Sequence, residues 1–309
     1  MNEEKPSPKR KIRWKRWLVL FGSLLAIISV VGWQYRWYKL PHYQPSSEYK
    51  TDVKMRTPTE HDLIMKDREW PYLLELENAS GGKLFYYGSY HTKNPDDKQI
   101  AEIQKRWKEF QPTVALCESR LGFYVGGLRG GVGMFSEPGA VFALARRDCI
   151  PVYTLEPTWE HELQSVLEDF EKQDVATFYF LRRFTSERNS SDEDSINAMS
   201  EKLLKKRMSR PLLKGAFSDL KEFDAYWKKN YEKESGDWRT IPNEALWPNK
   251  DPGLLHAMAF KTNSVRNKHM ANVIIELVNR GERVFAVCGG SHVVTQEPVL
   301  SAAILGKQD

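Results

Sequence analysis

The sequence predicts an α/β fold, a parallel or mostly parallel sheet flanked by helices and carrying a helical insert, preceded by one transmembrane helix. Three observations predict it. From Lys83 onward, short apolar runs of strand length alternate with amphipathic stretches of helical period, the pattern of parallel strands joined by right-handed crossovers. An uncharged run, Trp17–Trp33, follows a basic arm. Two strand runs near opposite ends of the chain finish alike: Leu84-Phe85-Tyr86-Tyr87 leads into Gly88-Ser89-Tyr90-His91, and Val284-Phe285-Ala286-Val287-Cys288 into Gly289-Gly290-Ser291-His292.

Of the 309 residues, 41% are hydrophobic and 12% aromatic, enough for a well-buried core. The net charge of +5 is local: Lys5, Lys9, Arg10, Lys11, Arg13, Lys15 and Arg16 stand against Glu3 and Glu4, leaving 39 basic and 39 acidic residues. A neutral body argues against a nucleic-acid surface.

The run Trp17–Trp33, reaching Tyr35 if Gln34 is tolerated, is close to the minimum for a spanning helix. Trp14, Trp17, Trp33, Tyr35, Trp37 and Tyr38 cluster at its ends, where amphipathic rings favour the membrane interface. No small-x-small cleavage site follows, which favours a permanent anchor over a cleaved signal. The expected organisation is a basic cytoplasmic arm (1–16), an anchor contacting the lipid bilayer (17–35), a stalk rich in proline and serine (36–60), and an extracytoplasmic α/β domain (61–309). The excess of Lys and Arg before the span sets that orientation.

Within the domain, Lys83–Tyr87 reads as a strand. Asp96–Phe110 is a helix with Ile100, Ile103 and Trp107 on one face, and Thr113–Cys117 a second strand. Glu137-Pro138 opens a helix that ends before a third strand, Ile150–Leu155. Val265–Asn279 is an amphipathic helix closed by Gly281, Val284–Cys288 the last strand, and a final helix starts near Glu297. Between about 158 and 255 the chain is charged and helical in pattern, either a cap over the functional edge or a solvated appendage. Cys117, Cys149 and Cys288 read as core thiols and have no zinc-type spacing.

In open α/β sheets ligands bind beyond the carboxyl ends of the strands. A histidine released by glycine just after a strand points there, and His91 and His292 suggest one shared site. Glu118 ends the second strand, Glu156 ends the third, and Glu137 opens a helix after a glycine-rich loop. Strands are depleted in glutamate, and a desolvated carboxylate needs a partner. Two chemistries use such a set. In one, His91, His292, Glu118 and Glu156 hold a divalent metal ion, Mn, Co or Zn, that activates water. In the other, a histidine whose tautomer is fixed by a glutamate acts as general base, while Arg120 or Arg266 stabilises the oxyanion. The catalytic candidates are His91, Glu118, Glu137, Arg266 and His292. His269 and the remaining histidines have no matching context. The glycine-rich loop has no nucleotide fingerprint, and no G-x-S-x-G elbow is present.

Gly88-Ser-Tyr-His91, a strand ending in Glu118 followed by Arg120, Glu137 ahead of an alanine-bearing helix, a helix with Arg266, and Gly289-Gly-Ser-His292 together resemble the TraB/TIKI-type domain family. That family lies in a wider group with erythromycin-esterase-like and ChaN-like proteins. The resemblance covers roughly Lys83 to Leu305. It implies an α/β domain whose paired histidines and glutamates line a cleft, with hydrolytic chemistry in some members, either metal-dependent peptidases or histidine-assisted esterases. Glu156-Pro157 departs from the family, where an Asp-Arg pair is usual. The expected function is a membrane-anchored hydrolase of peptide or small ester substrates. The rival is a non-catalytic, membrane-tethered protein that sequesters a peptide.

Overall fold

Large apolar side chains on successive strand residues can fill both faces of a sheet, so one strand can serve two cores. The computed structural model describes residues 14–38, 40–67, 70–119, 121–122, 125–188, 192–248 and 253–306. The chain runs through α1 (Trp14–Tyr38), α2 (Pro58–Asp67), β1 (Tyr72–Glu77), β2 (Lys83–Ser89), α3 (Lys98–Phe110), β3 (Val114–Cys117), α4 (Gly127–Arg147) and β4 (Val152–Thr154). There follow α5 (Trp159–Leu167), α6 (Lys172–Glu187), α7 (Glu193–Met208), α8 (Leu220–Asn230), α9 (Glu232–Ser235), α10 (Leu254–Asn279), β5 (Arg283–Gly289) and α11 (Gly290–Leu305).

The result is a mixed α/β fold around a five-stranded sheet of order β1-β2-β5-β3-β4. β2, β5, β3 and β4 are parallel, and β1 is an antiparallel edge strand. Leu84, Tyr86, Leu116, Val284 and Ala286 pack with α10 and α11 on one face. Phe85, Tyr87, Ala115, Cys117, Phe285 and Val287 pack with α3 and α4 on the other. The register sets Ser89 opposite Gly289, so the two G-x-x-H turns leave the sheet side by side. A Cβ on Gly88 would come within 2.8 Å of the Gly290 Cα and 2.9 Å of the Tyr72 carbonyl oxygen, so the close approach of the turns requires glycine there.

The insert forms a third core. Phe178, Phe180, Phe184, Phe217, Phe223, Trp227 and Trp238 are buried together with Leu255, Met258 and Ala259 from the first turns of α10. The same helix then carries Met270, Val273, Ile274 and Val278 onto the sheet. One continuous helix thus joins the insert to the sheet, and it starts well before the Val265 boundary that amphipathic period marks. α11 likewise starts directly after β5 rather than near Glu297, because Gly289 caps it and the second G-x-x-H supplies its first turn. Cys117 and Cys288 are buried, whereas Cys149 is exposed in the left-handed turn that closes α4.

The transmembrane expectation is corrected. Trp17–Trp33 is helical within α1, with its side chains exposed from Trp17 to Val31. Yet among the described residues no helix is long and apolar enough to cross a membrane. The single-pass assignment falls with this finding, as does the placement of amino terminus and domain on opposite sides of a membrane. The basic arm up to Arg13 lies outside the described residues. The residues read as a stalk lie along the domain: Leu40 is buried among α3 and α4 side chains, the Tyr43 hydroxyl donates to Glu276 at 2.7 Å, and Arg56 pairs with Glu297 at 2.6 Å.

Phe180 touches Phe184, Phe223 and Trp238 with ring centroids 4.6–5.8 Å apart. Phe180→Ala should therefore lower the free energy of unfolding by about 3–5 kcal/mol in a urea titration. A loss below about 1 kcal/mol would mean that the insert lacks a packed core.

Candidate functional site

The parallel strands deliver the predicted residues to one edge. His91 lies two residues beyond β2, Glu118 one beyond β3, Glu156 two beyond β4, and His292 in the first turn of α11 after β5. Arg266 comes from the middle of α10, where that helix passes from insert to sheet.

Glu118 is the centre of the cluster. Its Oε1 accepts from Arg266 Nη2 at 2.7 Å and lies 3.3 Å from His292 Nε2. Its Oε2 accepts from the Gly289 N–H at 2.6 Å, at the amino terminus of α11, where the helix dipole favours an anion. Arg266 also grips Glu156 through Nε at 2.9 Å and Nη2 at 2.5 Å. Burial alone would raise the Glu118 carboxyl, but His292, Arg266 and the Gly289 amide outweigh it and hold it well below the usual carboxylate range. Burial opposes the charge of Glu156 too, and Arg266 outweighs it and lowers that carboxyl.

The histidines differ in setting. His292 is buried; its Nδ1–H donates to Asn267 Oδ1 at 2.6 Å, an oxygen that also accepts from Gln296 Nε2 at 2.8 Å. This fixes the ring with Nε2 toward Glu118. His91 has a 59% exposed side chain, and its Nδ1 lies 3.6 Å from Oε2 of the fully buried Glu137. Glu137 raises the His91 pKa above its ordinary value against the effect of burial, and Glu118 adds to the rise. His91 itself sits at φ 60°, a left-handed conformation uncommon outside glycine. A Cβ on Gly289 would stand 2.9 Å from His91 Nε2 and 3.4 Å from Glu118 Oε2, so those atoms share one small space that glycine leaves open.

Glu137 is positioned by a break in α4. Phe135 and Ser136 leave helical geometry, and a second helical segment starts at Glu137-Pro138. Its Oε1 accepts from the Thr92 N–H and from Gln99 Nε2, both at 2.6 Å, and its Oε2 from the Ser89 hydroxyl at 3.3 Å.

His91, Glu118, Glu137, Glu156, Arg266 and His292 are thus gathered at the carboxyl edge of the sheet. Arg120 lies outside the described residues. His269, which had no matching context, is buried, its pKa pushed down to about 4 by burial and by His161 and His42. Sequence reading missed Asn267 and Gln99. Gln99 had a signal, as a polar residue beside Ile100 and Ile103 on the buried face of α3.

The metal expectation is corrected as well. Among the described residues, no group of three or more His, Cys, Asp or Glu could hold a metal ion. The proposed oxygen donors are already occupied: Glu156 by Arg266, and Glu118 by Arg266, His292 and a backbone amide. A guanidinium stands where a cation would bind.

Beside part of this cluster lies a cleft of about 1200 Å³, lined on one side by Glu156, Arg266, Asn267 and His292 and on the other by α5, α6 and α7; His91, Glu118 and Glu137 are not among its lining residues. Comparisons of the chain with protein-family models, curated proteins and solved structures return no match. What this edge does is therefore argued from its own chemistry.

Removing one partner of a buried ion pair strands the other charge, at about 3–5 kcal/mol. Glu156→Gln leaves Arg266 one carboxylate, Glu118, and should therefore destabilise the protein by less than that, about 1–3 kcal/mol, at pH 7. Because the folded pKa of Glu156 is depressed, the parent's advantage is present above the unfolded value near 4.3 and is lost as pH falls through the lower folded value. Urea titrations of both proteins should show the gap closing only below about pH 4. A gap that closes between pH 7 and 5 would contradict the pairing.

Proposed function

We propose that the chain is a hydrolase of peptide or ester bonds in which His91 is the general base, working by the metal-free chemistry of the erythromycin-esterase-like side of the resembled group. One observation carries this reading: His91 Nδ1 faces a buried glutamate, while Nε2 is held beside Glu118 and Gly289 with no hydrogen bond among the described residues. Glu137 selects the tautomer with the proton on Nδ1 and stabilises the imidazolium that forms. Nε2 takes a proton from water, the hydroxide oxygen bonds to the acyl carbon, and the carbonyl electrons move onto oxygen. Arg266 is held on Glu118, whose other oxygen shares the space beside Gly289 with His91 Nε2, and its Nη1 makes no hydrogen bond among the described residues, so it is the cation that stabilises that oxyanion. The C–N or C–O bond then breaks, and the leaving group recovers the proton from His91. His292, clamped by Asn267, positions Glu118, and Glu118 in turn holds Arg266.

His91→Ala should abolish turnover of peptide or ester substrates while leaving the melting temperature nearly unchanged, since the ring is mostly exposed. Retained turnover, or a matched fall in melting temperature, would sink the assignment. If no member of peptide and ester libraries is cleaved by the parent protein, the site is a binding cleft instead.

A general base must be neutral to act, so kcat/KM should rise with pH through the His91 pKa, with an inflection above the ordinary 6.5. Glu137→Gln removes the charge that raises it and should move the inflection to lower pH. An inflection that stays in place in Glu137→Gln would show that another group is titrating.

A further inference from the structure

The wall of the cleft opposite Arg266 carries arginines that the hydrolytic reading does not use. Arg182 and Arg183 from α6 and Arg207 from α7 line it beside Trp159. Arg207 stacks over the Trp159 ring at 5.2 Å, and Arg210 lies over the same ring at 4.3 Å. Arg183 has a carboxylate partner, Glu187, four residues on in the same helix. Among the described residues, no ion pair engages Arg182, Arg207 or Arg210, and the buried Nε of Arg207 has no hydrogen-bond partner. The acidic residues of the lining are held elsewhere: Glu156 by Arg266, Glu162 by the Tyr179 hydroxyl, and Asp62 by His61.

Gathering like charges around a half-buried guanidinium is unfavourable unless something neutralises them. Guanidinium groups match carboxylate and phosphate oxygens with paired N–H donors, and an aromatic ring beneath holds the fork flat.

We propose that this wall is a subsite for an oxyanion, a carboxylate or phosphate, on the molecule that the cleft takes, so that the substrates are acidic peptides or esters. The proposal rests on the cleft being the substrate site, and binding tests it without any turnover. Burial, together with Arg210, Arg183 and Arg182, lowers the Arg207 pKa, and Glu187 offsets this only in part.

Isothermal titration of the full chain with tetraglutamate, tetraglycine, tetralysine and inorganic phosphate tests it. Tetraglutamate or phosphate should bind, more weakly as salt rises, while tetraglycine and tetralysine should not. Binding of tetraglutamate alone identifies a carboxylate ligand, and of phosphate alone a phosphorylated one. Arg182→Glu, at an exposed position, and Arg207→Gln should each weaken binding about tenfold or more. If Arg207→Gln fails to fold, Arg182→Glu carries the test. Lys98→Glu, at an exposed position outside the cleft, should bind as the parent does. Equal affinity for tetraglycine and tetraglutamate, or unchanged binding by Arg182→Glu, overturns the subsite. Anion binding without any hydrolysis leaves the subsite standing and removes the hydrolase.

Discussion

The fold turns on Arg266. Its guanidinium joins the ends of β3 and β4 through Glu118 and Glu156, and it does so from the point on α10 where the helix leaves the insert core and meets the sheet. Charge burial of this kind is costly in isolation. It is tolerated here because nearly every donor and acceptor finds a partner: two carboxylates share one cation, a backbone amide takes the remaining Glu118 oxygen, and His292 closes the set. Since the network contacts both cores, it fixes the insert relative to the sheet, and thereby the width of the cleft between them.

The G-x-x-H repeat follows from the same crowding. Two parallel strands in adjacent positions must both turn away at one edge, and their turns meet. Gly88 allows the backbones to touch; Gly289 leaves room for His91 beside Glu118 and donates its amide to that carboxylate. Three residues later in each turn the histidines approach Glu118 from its two oxygens. The repeat is thus a packing solution as well as a chemical one.

Much of this edge was legible because its residues violate local expectation. Glutamate at a strand end and histidine after glycine are unfavourable choices for packing alone, so they mark a site. What stayed hidden was tertiary. β1 is an edge strand whose pairing only appears once β2 is in place. The early start of α10 depends on the insert core receiving Leu255 and Met258. Asn267 looks like an ordinary helix residue until His292 is seen against it. The apolar run at Trp17–Trp33 was misjudged from composition: it is helical, but among the described residues no helix is long and apolar enough to cross a membrane. The metal reading failed for a different reason, because counting His and Glu ignores which of them an arginine has already claimed.

The resulting site has a closed half and an open half. Asn267, His292, Glu118, Arg266 and Glu156 form a continuous chain of hydrogen bonds and ion pairs in which each member is held by its neighbours. Such a network is rigid, and rigidity suits a platform that presents a fixed field. The groups left with capacity lie on its flanks: His91 Nε2 on one side and the arginines around Trp159 on the other. A ligand recognised by this cleft therefore meets preorganised charge along its floor and unsatisfied donors on its far wall. Its anionic end and its reacting centre would then be read by different elements, the insert and the sheet, whose separation the Arg266 network sets.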